Sequence, residues 1–129
     1  MAYVHQVQYY ECDRMGVTHH SNYVRFMEEA RIDLLNRMGY GFDKLEAEGI
    51  VSPVVNIFCS FKKPTTFMDE IEIEVSVSAV SVFKVTLDYS MKVRGEEVFT
   101  GTSTHCFLKD GQAVKIEDRF PGLSPSTTK

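Results

Sequence analysis

Apolar residues recur every three to four positions between residues 22 and 38, which is the spacing of one face of a helix. Ser21 or Asn22 can cap the start of this helix, and Gly39 suits the left-handed conformation in which many helices end. Additional apolar side chains widen the stripe, so we expect the helix to be buried on most sides. The regular positions of the stripe are Tyr23, Met27, Ala30, Leu34 and Met38.

From residue 50 onward the pattern changes to alternation of apolar and polar positions, the period of a β-strand. Pro53 interrupts the first strand-like stretch, and the dipeptides Arg94-Gly95 and Asp110-Gly111 are turn signals between later ones. Alternation of this kind gives a sheet one apolar and one solvated face, as in antiparallel sheets. With a further strand near the N-terminus, the pattern predicts an α+β domain at residues 1–120, in which an antiparallel sheet of five or more strands wraps around the long helix. The polar segment 121–129 is predicted to be a flexible tail.

Composition narrows the class of protein. The 129 residues carry a net charge of −4, which gives no general attraction to nucleic acid or to anionic membranes. The three cysteines are far apart and form no CxxC pair, so they suggest neither a zinc site nor a disulfide framework. No apolar run approaches the roughly 20 residues that span a bilayer, and the N-terminus lacks the apolar region of a signal peptide. We therefore expect a cytoplasmic protein with reduced thiols and no membrane span.

The segment ECDRMGVTHHSNY, residues 11–23, combines potentially reactive side chains with the start of the helix. Asp13 could be a nucleophile or a general base, and a helix N-terminus offers unpaired N–H groups that can stabilise a developing negative charge. Taken singly, Asp13 and Gly16 are as well explained as turn residues, and His19 as a surface residue or a pocket wall. Adjacent histidines on a loop rarely bind one ion, so no metal is expected.

This segment resembles the signature of the hotdog-fold acyl-CoA thioesterases. The likeness is strongest to the 4-hydroxybenzoyl-CoA thioesterase branch and to the related thioesterases of the bacterial Tol-Pal gene cluster. Two positions depart from the family pattern, because His19 stands where an aromatic residue is common and Met15 where a small one is common. Those departures bear on the choice of acyl group. The matching residues are Tyr10, Glu11, Cys12, Asp13, Gly16, His20, Asn22 and Tyr23, followed by the FMEEAR segment of the helix.

The resemblance implies a hotdog fold and hydrolysis of an acyl-CoA to free acid and coenzyme A. It assigns Asp13 the role of nucleophile or general base, places Gly16 and His20 in the catalytic loop, and implies that a backbone N–H near His20 polarises the carbonyl. No cofactor is implied, because coenzyme A is part of the substrate. It also implies a homodimer or homotetramer with active sites at subunit interfaces. Residues expected to contact substrate are His19, Asn22 and Tyr23, with Lys62 and Lys63 as candidates for the coenzyme A phosphates.

Other interpretations remain open. A second hotdog lineage uses a helical glutamate for catalysis, so Glu28 is an alternative catalytic residue, although a solvated or ion-paired carboxylate also explains it. A hotdog dehydratase or hydratase is the alternative enzyme class, and the spacing of Asp13 and His20 argues against it. The non-enzymatic alternatives are an acyl-CoA-binding module and a generic interaction domain.

Overall fold

The structure is a computed structural model and describes residues 2–125. It contains one long helix, two short helices and eight strands, with a single 3₁₀ turn at Tyr9–Glu11 between β1 and α1. The helices are α1 (Asn22–Arg37), α2 (Phe42–Ala47) and α3 (Ile116–Arg119). The strands are β1 (Tyr3–Gln6), β2 (Ile50–Val51), β3 (Val54–Phe61), β4 (Glu70–Val80), β5 (Lys84–Val93), β6 (Glu96–Cys106), β7 (Leu108–Lys109) and β8 (Gln112–Ala113).

Five strands form one antiparallel sheet in the order β1-β4-β5-β6-β3, and the three short strands form a second sheet in the order β2-β7-β8. Both predicted turns close hairpins. Arg94 and Gly95 join β5 to β6, and Asp110 and Gly111 join β7 to β8, all four with positive φ as a type I′ turn requires. The α+β class and the five-stranded antiparallel sheet are therefore confirmed.

The long helix α1 ends as its sequence predicts. Gly39 has φ +87°, its N–H donates to the carbonyl of Asn36, and the Tyr40 N–H donates to that of Leu35. These two bonds are the Schellman motif, in which a left-handed glycine lets the chain satisfy the last carbonyls of the helix.

The expected sheet wrapped around a long central helix is found only in part. The 16-residue helix lies on one face of the sheet, while Val24, Arg25 and Glu28 on its other side are exposed. The exposed side of the helix is largely charged. Burying charged side chains without partners costs free energy, so within the single chain this side stays in solvent. The face toward the sheet buries Tyr23, Phe26, Met27, Ala30 and Leu35, whereas Met38 is 39% exposed.

The alternating pattern is confirmed along most of β4 and β5. Ile71, Ile73 and Val77 are buried on β4, but Ala79, which continues the same alternation, is exposed. The pairing of β4 with β5 shifts between Val77 and Ala79, so a β-bulge reverses the faces there. The alternation of apolar and polar residues along β4 does not reveal such a bulge. The extra residue shifts the pairing of β4 with β5, whereas the alternation in the sequence continues through Ala79.

The predicted C-terminal tail is only partly described. Pro121 accepts a hydrogen bond from the Tyr40 hydroxyl at 3.3 Å, and Leu123 packs against the core. Residues 126–129 lie outside the described residues, so the boundary at 120 and the flexible tail stay predictions. Within residues 2–125, no helix is both long and apolar enough to cross a membrane.

Candidate active site

Asp13 is an exposed residue at the start of a tight turn. Its carbonyl accepts the Gly16 N–H at 3.0 Å, and its side-chain Oδ1 accepts the Met15 N–H at 2.8 Å. Gly16 has φ +80°, which explains the preference for glycine at this position. The turn occupies Oδ1 of the carboxylate, while Oδ2 has no hydrogen-bond partner among the described residues.

The loop from Thr18 to Ser21 leads directly into α1. The Nδ1 atom of His19 accepts the Ser21 N–H at 3.2 Å, and Ser21 Oγ lies 2.9 Å from the same atom. The His19 N–H donates to the carbonyl of Glu11 at 2.8 Å. The His20 N–H, in contrast, has no acceptor among residues 2–125, although its carbonyl accepts the Tyr23 N–H at 3.1 Å. The start of the helix therefore presents one unpaired donor beside the histidine pair.

Two imidazole rings and a buried phenol form the surroundings of this donor. The His19 and His20 rings stack with centroids 4.3 Å apart, and both residues are exposed. Tyr23 is buried, and its hydroxyl lies 2.9 Å from Thr65 Oγ1, which in turn lies 2.6 Å from Thr18 Oγ1. Burial raises the pKa of Tyr23, so the phenol stays protonated. This hydrogen-bonded chain ties the loop, the helix and the segment after β3 together.

An open pocket of about 280 Å³ lies between the helix start and the end of β3. The predicted site residues that line it are His20, Tyr23, Lys62 and Lys63. Thr18, Phe61 and Pro64 complete the wall and were not predicted. The aromatic Phe61, which packs edge-on against Tyr23 with centroids 5.4 Å apart, gives the pocket an apolar side.

The remaining predicted site residues lie outside this pocket. Asp13 and Gly16 belong to the preceding turn, and His19 faces Ser21. Asn22 Nδ2 donates to the carbonyl of Glu11 at 3.0 Å, so it holds the loop against the helix. Within one chain, therefore, the candidate nucleophile and the candidate carbonyl-binding donor occupy neighbouring loops and do not share a cavity.

The two lysines follow directly after β3. Their N–H groups both donate to the carbonyl of Val98 at 2.9 and 3.1 Å, which holds the backbone of the pair against β6. The Lys63 ammonium forms an exposed ion pair with Glu96, and Lys62 is exposed beside the pocket. Both ammonium groups are thus available to an anionic ligand. Lys63 must first leave Glu96, but an exposed ion pair of this kind contributes little to stability.

The alternative carboxylate Glu28 projects from the exposed side of α1. Its side chain is 60% exposed, and Oε2 lies 3.7 Å from the Arg31 guanidinium. It does not line the pocket at the helix start.

A polar network inside the fold was not predicted from the sequence. His5 lies between two carboxylates, with Nδ1 3.0 Å from Glu29 Oε1 and Nε2 2.9 Å from Glu11 Oε1. The Tyr3 hydroxyl donates to the same Glu29 oxygen at 2.9 Å, and burial together with this carboxylate raises the pKa of Tyr3 to about 12. The network joins β1, the 3₁₀ turn and α1. Alternation in residues 3–6 indicates which face is buried but not that a histidine on it meets two acids.

No group of three histidine, cysteine or acidic side chains among residues 2–125 converges in the manner of metal ligands.

Comparison with known proteins gives one consistent family. The model of the thioesterase-like superfamily matches residues 7–123. A protein of Bacillus subtilis named "Putative acyl-CoA thioesterase YneP" is 31% identical over 119 residues, which cover 90% of this chain and 86% of that relative.

Solved structures agree with the sequence comparison. The DHNA-CoA thioesterase from Staphylococcus aureus superposes with a TM-score of 0.88 at 26% identity, covering 93% of this chain and 83% of that one. A hypothetical protein of Aquifex aeolicus, AQ1494, superposes with a TM-score of 0.87 at 34% identity, covering 90% of this chain and 92% of that one.

Proposed function

This chain belongs to the thioesterase-like superfamily and is a thioester hydrolase, and we propose that it hydrolyses an acyl-coenzyme A bound at the pocket beside the start of α1. Water adds to the acyl carbon, the carbon–sulfur bond breaks, and the products are a free acid and the coenzyme A thiol. The names of the Bacillus subtilis and Staphylococcus aureus relatives support a coenzyme A thioester as substrate.

The observation that carries this proposal is the unpaired N–H of His20, a residue at the helix start that lines a pocket together with two lysines. As water or a carboxylate attacks a thioester, negative charge develops on the carbonyl oxygen. A free N–H at the positive end of a 16-residue helix can donate to that oxygen without first losing a partner. The two ammonium groups beside it suit the phosphates of coenzyme A, which bind lysine as a point charge.

We assign the attack to Asp13, either as the nucleophile itself or as the base that activates water. Two features support this assignment: the match of Asp13 to the hotdog signature, and the free Oδ2 atom in a turn that already holds the carboxylate through Oδ1. An acyl-enzyme anhydride would form in the first case and be cleaved by water. In the second case Asp13 accepts the proton of the attacking water and passes it to the leaving sulfur.

We further propose that two copies of the chain pair through the edge strand β3, which completes the active site. β3 pairs with β6 on one side only, and Phe58 and Phe61 on it are 67% and 52% exposed. An eight-residue apolar edge of this kind associates readily with a second strand. The pocket lies at the end of β3, so a partner docked there covers it and can bring its own catalytic loop close.

For the acyl group we propose an aromatic or otherwise apolar acyl chain, in keeping with the likeness to the 4-hydroxybenzoyl-CoA and Tol-Pal-associated branches. Tyr23 and Phe61 give the pocket an apolar wall against which such a group can pack.

The test is a thiol-release assay over a panel of 4-hydroxybenzoyl-, short-chain and long-chain acyl-CoAs, with binding of each measured in parallel. We expect release of free coenzyme A from at least one member. Binding without release would favour the acyl-CoA-binding module. Loss of the enoyl absorbance of an enoyl-CoA, without thiol release, would favour the hydratase.

The helical carboxylate Glu28 is tested with the same assay. Because Glu28 projects from the exposed side of α1, with Oε2 3.7 Å from the Arg31 guanidinium, and does not belong to the loop that leads into the helix, the Glu28→Gln variant should keep its kcat within about twofold of the parent. A loss of a hundredfold or more would transfer the catalytic role from Asp13 to Glu28.

A further inference from the structure

A chain of polar contacts connects the middle of α1 to the start of the same helix. It links Glu29 to His5 on β1, His5 to Glu11 in the 3₁₀ turn, and Glu11 to Asn22 at the helix start. Asn22 and Glu29 are close to two helical turns apart, so they lie on one side of α1 and roughly 10 Å from each other along its axis. Two points of one helix are therefore braced through two other elements.

His5 lies at the centre of these contacts. Its Nδ1 is 3.0 Å from Glu29 Oε1, and its Nε2 is 2.9 Å from Glu11 Oε1. The ring packs against Phe26, with centroids 4.1 Å apart, and the side chain is only 11% exposed. Both ring nitrogens face carboxylate oxygens, and only the imidazolium form can donate to both at once. His5 thus holds the Glu11 side chain in a fixed position relative to α1.

Glu11 is buried and is bonded through both its side chain and its backbone. Its Oε1 also accepts the Gln8 N–H at 2.8 Å, which fixes the carboxylate within the 3₁₀ turn. Its carbonyl oxygen accepts two donors from the helix start, the His19 N–H at 2.8 Å and Asn22 Nδ2 at 3.0 Å. A carbonyl oxygen has two lone pairs, so these two bonds use its full capacity. The orientation of Glu11 therefore decides where His19 and Asn22 lie.

The peptide group between His19 and His20 is held from both sides by these bonds. Its carbonyl, that of His19, accepts the Asn22 N–H at 3.0 Å at the start of α1. The peptide is trans, so its N–H, that of His20, points in the opposite direction, away from the helix. The Glu11 carbonyl fixes His19 before this peptide and Asn22 after it. It thereby fixes the direction of the His20 N–H.

We propose that His5 and Glu11 are positioning residues, which hold the His20 N–H in the orientation that receives the carbonyl oxygen of the substrate. They act through the Glu11 carbonyl and the loop that leads into α1, not by contact with substrate. The inference rests on the proposed function, which makes the His20 N–H the donor to the developing negative charge. A donor that is already oriented before substrate binds needs no reorganisation during the reaction.

Amide hydrogen exchange of the unaltered chain tests this positioning without substrate. The His19 N–H is bonded to the Glu11 carbonyl and the His20 N–H has no acceptor among residues 2–125. After correction for their intrinsic rates, the His19 amide should exchange at least about tenfold more slowly than the His20 amide. Equal rates would overturn the inference, whether or not the protein hydrolyses a thioester. Slow exchange at His19 without any thiol release would support the positioning and contradict the proposed function.

Two substitutions at His5 separate its two bonds. The amide nitrogen of asparagine lies as far along the side chain as Nδ1, and that of glutamine lies as far as Nε2. His5→Asn therefore keeps a donor toward Glu29 only, and His5→Gln keeps a donor toward Glu11 only. Both variants lose the charge of the imidazolium, so each is the control for the other's effect on stability.

The variants are compared with the parent in thiol release and in amide exchange. His5→Asn should lower kcat by about ten- to hundredfold with KM within about twofold, because the misplaced donor is needed only in the transition state. Its His19 amide should exchange faster, while the amides of the central strand β5 exchange as slowly as in His5→Gln. His5→Gln should retain a kcat within about threefold of the parent and slow exchange at His19. Equal losses of kcat in the two variants, or a parental kcat in His5→Asn, would overturn the inference.

Discussion

Asp13 is the residue on which the proposed chemistry depends. Asp13→Asn keeps an oxygen that can accept the Met15 N–H, so the turn and the fold should persist. Asparagine cannot act as a carboxylate nucleophile and is a very poor base, so kcat should fall by at least roughly 10²- to 10⁴-fold while acyl-CoA binding is retained. Thiol release and binding measured on the same preparation check this.

A matched control for Asp13 exists in α2. Asp43 is also exposed, and its Oδ1 also accepts a nearby backbone N–H, that of Lys44 at 2.9 Å. Asp43→Asn should leave kcat unchanged. If the kcat of Asp13→Asn stays within about tenfold of the parent's kcat, Asp13 is not catalytic and serves only to hold the turn.

The positive charges of Lys62 and Lys63 are what the proposed binding of the coenzyme A phosphates depends on. Replacing both by glutamine should raise KM by roughly five- to tenfold, with kcat within about twofold, since loss of uniform binding raises KM alone. The effect should shrink at high salt, where exposed charges are screened. The same change at Lys44 and Lys109, which are exposed elsewhere, is the control. An unchanged KM at low salt would show that the pair is not used by substrate.

At the scale of one element, the exposed edge of β3 leads us to predict that the protein is a dimer or a larger oligomer. Light scattering at micromolar concentration should give a dimer or a larger multiple. Phe58→Lys places a charge on the apolar side of this edge and should shift the protein toward the monomer, with loss of turnover if the site is shared. Val4→Lys makes the same change on β1, the opposite edge, where Val4 is 50% exposed. Dissociation by Val4→Lys but not by Phe58→Lys would place the interface on β1.

At the scale of the whole molecule, His105 couples stability to pH. Burial, together with the nearby Arg31 charge, lowers the pKa of His105 from 6.5 to about 4 in the folded state. Between these two values the unfolded chain binds more protons than the folded one, so the free energy of unfolding should decrease as the pH falls from about 6.5 to 4. This group alone accounts for a loss of about 3 kcal/mol across that range. Above about pH 7.5, where the histidine is neutral in both states, it contributes almost no slope.

The measurement is the free energy of unfolding against pH, for the parent and for His105→Gln. Carboxylates titrate in the same range, so the difference between the two proteins isolates His105. His19→Gln, at an exposed histidine, should keep the slope of the parent. A His105→Gln protein with the full slope would contradict the prediction.

The sequence predicted much of the fold because the responsible interactions are local. Helix α1, its end at Gly39, the two hairpin turns and the alternation in β4 and β5 each depend on residues a few positions apart. The segment proposed as the catalytic loop could be singled out for the same reason, since its glycine turn and its histidine pair lie within 13 consecutive residues. The roles assigned within that loop stay predictions.

Only the tertiary structure decided which distant residues meet. It separated Asp13 from the pocket and brought Lys62 and Lys63, about 40 positions after His20, to its rim. It also buried Arg31 beside His105 and placed His5 between Glu11 and Glu29. Helical period alone does not predict a buried arginine on a mostly apolar face, because the usual cost of burying a charge argues against it. Such contacts depend on strand order, register and the bulge in β4, which are set by packing across the whole sheet rather than by the residues next to each position.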